Sequence, residues 1–100
     1  MLKITVLKKT YFRDLIDEYA VSAEAYGPCE IFEEGQMFIT DGERPEQFCD
    51  WAWENIRREM NNAEHGQSLP WVNAPGTFIA CCTDGFRPVV FKIEKLNQQG

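Results

Sequence analysis

Four cysteines, Cys29, Cys49, Cys81 and Cys82, carry most of the chemistry that this chain of 100 residues offers. The last two are adjacent in A-C-C-T-D-G-F-R-P-V-V-F, which runs from Ala80 to Phe91. Such thiols exchange with disulfides, hold soft metal ions, or pack as small apolar groups. Neighbouring strand residues point to opposite faces, so Cys81 and Cys82 are not expected to share a site. With a turn centred on Asp84-Gly85, Cys82 would lie across from Arg87, and Cys81 across from Pro88 on the face of Ile79 and Val90. A nearby guanidinium favours thiolate over thiol. That selects Cys82, with Arg87, as the candidate chemical thiol and leaves Cys81 to packing.

A shared metal would require convergence through the fold, because zinc motifs bring cysteines in close pairs such as C-x2-C and the chain has none. The candidate ligands are Cys29, Cys49, Cys82 and Asp84, with His65 as another choice for the fourth. Several thiolates would suit zinc, copper(I) or an iron–sulfur cluster. A nucleophilic cysteine normally needs a histidine beside it. The single histidine, His65, is expected at the end of a long helix, where it would interact with the dipole rather than act as a base. The stretch C-D-W-A-W (Cys49 to Trp53) supplies Asp50, Trp51 and Trp53, and Trp71 follows in a loop; these four are candidate ligand-binding residues. In the alternative reading the thiols are only core, and the chain is a small-ligand or protein-binding module.

The elements that must hold these residues follow from periodicity. Leu2 to Leu7 alternates apolar and polar positions, as a half-buried strand does. Phe12, Leu15, Ile16 and Tyr19 have helical spacing, with Thr10 as a possible N-cap. Regular patterning is lost from Val21 to Gly35, where Gly27-Pro28 precedes Cys29. Gln36 to Thr40 is a short strand before Asp41-Gly42. A long helix is expected from Pro45 to about Glu64, with Cys49 on its apolar face, Asp50 near Arg57, and Glu54 paired with Arg58. After the irregular Gly66–Gly76 segment, Thr77 to Cys82 and Arg87 to Leu96 form a hairpin. The expectation is one α+β domain over residues 1–96, a small mainly antiparallel sheet carrying one short and one long helix, with a disordered tail at 97–100.

Composition limits the partners. The net charge of −6 and the scattered basic pairs give no basic stripe for nucleic acid or for an anionic membrane surface. No apolar run approaches the ~20 residues of a membrane span, and M-L-K-I-T-V-L-K-K is too charged and short for a signal-peptide core. Four cysteines without a leader imply a reducing, cytoplasmic setting.

The stretches K-I-T-V-L-K, G-P-C-E-I-F-E-E-G-Q-M-F (Gly27 to Phe38), F-C-D-W-A-W (Phe48 to Trp53) and A-C-C-T-D-G-F-R-P-V-V-F-K (Ala80 to Lys92) resemble an uncharacterised family of short prokaryotic cysteine-containing proteins. The resemblance implies a bacterial or archaeal cytosolic protein and carries no catalytic assignment.

Overall fold

The computed structural model of the chain describes residues 1–25, 27 and 29–96; the tail expected at 97–100 lies outside them, as does Pro28. The alternating stretch at the start is strand β1, Leu2–Lys9, with Leu2, Ile4 and Val6 buried. Helix α1 (Arg13–Tyr19) and a short 3-10 turn (Ala23–Ala25) follow. Then come β2 (Met37–Thr40), helix α2 (Asp50–Glu64), β3 (Thr77–Cys81) and β4 (Val89–Lys95). The four strands form one antiparallel sheet in the order β2-β1-β4-β3. This is an α+β fold with a C-terminal strand hairpin. Among the described residues no helix is long and apolar enough to cross a membrane.

One face of the sheet is the core. Phe38, Phe78, Val89, Phe91 and Ile93 join the three buried residues of β1 there. The lengthwise stripe Ala52, Trp53, Ile56, Met60 and Ala63 of α2 closes over them, each large apolar side chain contributing about 1.5–3 kcal/mol. The opposite face keeps Met37, Ile39, Ile79 and Cys81 exposed. Helix α1 buries Ile16 alone.

Two core aromatics come from outside the regular elements. Phe32 and Phe48 are almost fully buried and meet edge-on with centroids 5.0 Å apart; Phe32 also meets Phe91 at 5.1 Å. The segment behind Phe32 is tied to β1 by backbone bonds: the Gly35 N–H donates to the Val6 carbonyl, and the Val6 N–H to the Gln36 carbonyl, both at 2.8 Å. Gly35 has φ 88°, a conformation that glycine adopts at little cost. This docking sits beside a bulge between Val6 and Lys8, where β1 shifts register against β4.

Three local expectations are corrected. The long helix begins at Asp50, not Pro45. The Arg44 guanidinium explains the delay: its Nη1 donates to the Phe48 carbonyl at 2.7 Å and more weakly to those of Pro45 and Glu46, and its Nε pairs with Asp50 at 2.7 Å. Those carbonyls are held in a turn, closed by the Phe48 N–H on the Pro45 carbonyl at 2.9 Å. Thr10 caps nothing; its hydroxyl donates to the Pro88 carbonyl at 2.7 Å, and Phe12 is the N-cap of α1 without a side-chain bond.

The hairpin register is the third correction. Ala80 pairs with Phe91 and Cys81 with Val90, two residues on from the expected pairing. A slip of two preserves both faces, so the core face is the one expected. The reason lies in the connection. Asp84 Oδ1 accepts from the N–H groups of Phe86 and Arg87, and the carbonyls of Phe86 and Pro88 accept from Phe12 and Thr10. Pro88 has no N–H to give the ladder, so β4 starts one residue later.

Candidate functional site

Three chain segments bring Cys29, Cys49 and Cys82 to the wall of one cavity of about 100 Å3. Phe32, three residues after Cys29, fixes the first segment by plunging into the core. Phe48 does the same for the second, and Cys49 becomes the N-cap of α2 with extended backbone (φ −62°, ψ 128°) rather than a mid-face helical residue. Cys82 follows the last residue of β3 on the core side. All three thiols are half-buried and pack against the core. Cys81 points the other way and is exposed, so the separation of the two adjacent thiols follows the strand alternation, although Cys81 does not pack.

A latch holds α2 to the hairpin beside the cavity. Trp51 Nε1 donates to Thr83 Oγ1 at 2.9 Å, that hydroxyl donates to Asn55 Oδ1 at 3.1 Å, and the Thr83 N–H reaches the same oxygen at 2.8 Å. Trp51 and Asn55 are one helical turn apart, on the same side of α2. Neither Thr83 nor Asn55 was expected at the site; the signal was a hydroxyl residue directly after the cysteine pair and an amide four residues after a tryptophan. Thr83→Val keeps the backbone bond and removes both hydroxyl bonds. It is expected to cost about 1 kcal/mol in a urea titration, with a red shift of the Trp51 emission.

The electrostatics differ from the expected thiol–guanidinium contact. Cys82 faces Val89, whose N–H donates to Cys82 Sγ at 3.3 Å. Arg87 also lines the cavity, but its Nε pairs with Asp84 Oδ2 at 3.4 Å. Asp84 is therefore engaged by Arg87 and by two backbone N–H groups. Among the described residues no three or more His, Cys, Asp or Glu side chains are grouped to hold a metal ion. Cys29, Cys49, Cys82 and Asp84 share a cavity without forming a ready ligand shell for zinc, copper(I) or an iron–sulfur cluster.

The other candidates divide. Trp51 is on the cavity wall and just over half exposed. Trp53 lies in the core, 5.5 Å from the Phe48 ring, and Trp71 is exposed; neither lines the thiol cavity. Asp50 is exposed and paired with Arg44, not Arg57, while Arg57 pairs with Glu54. His65 caps the end of α2, as expected, with Nδ1 2.8 Å from the Asn61 carbonyl. Comparison with known protein families, curated proteins and solved structures finds no match for this chain.

Proposed function

We propose that the cavity is a thiol–disulfide exchange site acting on a small disulfide. The observation that carries this reading is the convergence of Cys29, Cys49 and Cys82 on one cavity while the neighbouring Cys81 faces away. The exchange starts from the reduced protein, in which these cysteines are free thiols. Cys82, whose sulfur accepts the Val89 N–H, attacks as the thiolate on one sulfur of the small disulfide; a mixed disulfide forms and one small thiolate leaves. Cys49 then attacks Cys82 Sγ, closing a Cys49–Cys82 bond and releasing the second small thiol. Two protein thiols and one disulfide thus become one protein disulfide and two thiols. The Trp51–Thr83–Asn55 latch keeps the start of α2 beside Cys82, which favours Cys49 as the resolving partner. Cys29 remains in the cavity as a third thiol.

Soft-ion binding by the same thiols is the competing reading, and one experiment separates them. The protein is purified without oxygen, assayed for metal, and then incubated with glutathione disulfide before peptide mapping. Thiol exchange gives a Cys49–Cys82 bond, and Cys49→Ser instead traps a mixed disulfide on Cys82. Near-stoichiometric metal, lost in Cys29→Ser and Cys82→Ser, would replace this reading by metal binding. Modification confined to Cys81 would refute both and leave the cavity thiols as packing groups.

A further inference from the structure

A second cleft, sharing no lining residue with the thiol cavity, runs along α2 beside the end of β2. Its volume is about 450 Å3, within the ordinary range for a small-molecule site. Trp53, Arg57, Met60, Asn61 and Glu64 recur along one stripe of α2, with Arg58 beside it. The floor is apolar, since Leu2, Met60 and Trp53 are all at least nine-tenths buried.

Two of the residues that line this cleft carry hydrogen-bond donors without protein partners among the described residues. The indole N–H of Trp53 has no acceptor among the described residues, yet the residue is only 8% exposed. The N–H is not sealed in either: the one fully enclosed side-chain N or O atom without a hydrogen bond among those residues is Glu94 Oε1, which lies within ion-pair reach of Lys3 and Lys92. The indole N–H therefore keeps some contact with solvent, and Trp53 is one of the residues that line the cleft. Arg13, Arg44, Arg57 and Arg87 each have a carboxylate within ion-pair reach, whereas Arg58 has none among the described residues. An unengaged guanidinium and an unengaged indole N–H on residues lining one cleft stand out in a chain of net charge −6. Of the two acids in the cleft, Glu64 meets the Met1 amino group at 3.7 Å and Asp41 accepts the Glu43 N–H at 3.3 Å.

We propose that this cleft binds a small organic anion, its carboxylate or phosphate held by Arg58 and the Trp53 N–H and its apolar body resting on Leu2 and Met60. A guanidinium fork suits both anion types, and Arg57 is near enough to join, its exposed pair with Glu54 being weak.

The test titrates the nitrogen-15-labelled full chain with benzoate and, separately, with phenyl phosphate. The expected result is a saturable shift of the Trp53 indole and Arg58 resonances with at least one probe. Saturation by benzoate alone assigns a carboxylate ligand, and by phenyl phosphate alone a phosphate ligand. Arg58→Gln should weaken that binding about tenfold or more, and Arg58→Glu should abolish it, while Arg13→Gln on the distant α1 leaves it unchanged. Both Arg58 variants alter an exposed side chain, and their folded spectra are checked first. Shifts that stay linear to about 10 mM with both probes, or an unchanged affinity in Arg58→Gln, would overturn the proposal.

Discussion

Phe32→Ala is expected to destabilise the protein by about 3–5 kcal/mol, the range for removing a large aromatic from a packed core. The size of the effect is unusual for a residue in a segment with no helix or strand. It follows from burial, since Phe32 is 1% exposed and its ring meets Phe38, Phe48 and Phe91 within 6.0 Å. Denaturant midpoints in urea measure it, and a double-mutant cycle with Phe48→Ala should show a coupling of about 0.5–1.5 kcal/mol for the ring pair. The substitution also frees the anchor of the segment bearing Cys29, so alkylation of Cys29 should accelerate in the same variant. A loss below about 1 kcal/mol would mean that residues 29–36 do not dock as described.

Closing the Cys49–Cys82 bond is expected to raise stability by about 3–4 kcal/mol. A cross-link that ties the start of α2 to the end of β3 spans more than the Gly66–Gly76 loop and all of α2, and it removes the corresponding freedom from the unfolded chain. The latch through Thr83 already holds the two segments together, which limits the strain that bridging would add. The measurement compares urea midpoints of the oxidised and reduced protein, the bond having been located by peptide mapping. Cys49→Ser and Cys82→Ser should show no gain on oxidation. An oxidised protein no more stable than the reduced one would show that the bridge distorts the cavity, and would count against reversible exchange there.

Much of this arrangement was legible in the residues, and the misses have local causes. Period-two alternation placed β1 and the core face of the hairpin, because burial on one side of a strand leaves a direct trace in the sequence. The same alternation separated Cys81 from Cys82. The helix start and the hairpin register escaped because they depend on single local hydrogen bonds. Arg44 captures the carbonyls that a helix from Pro45 would have used, and no periodicity encodes that competition. Asp84 and the Pro88 carbonyl widen the hairpin connection through bonds to their own loop and to Thr10, which moved the register by two and put Val89, not Arg87, opposite Cys82. Phe32 was lost because an isolated aromatic in an aperiodic stretch looks the same whether it is docked or exposed. Of the three tryptophans, only Trp51 reached the thiol cavity; Trp53, two residues on and so on another side of α2, lies in the core.

The central pairing of the sheet joins its earliest strand to its latest. β1 is flanked by β2 and β4, and its partnership with β4 runs from Leu2 opposite Lys95 to Lys9 opposite Val89. A nascent chain leaving the ribosome therefore carries β1 with one edge unsatisfied until β4 has emerged. Only the short β2 is able to cover the other edge in the meantime. Such long-range closure slows folding, and an open apolar edge invites pairing with other chains. Lys3, Lys8 and Lys9 sit along that waiting strand, and lysines on an open strand disfavour edge-to-edge pairing with other chains.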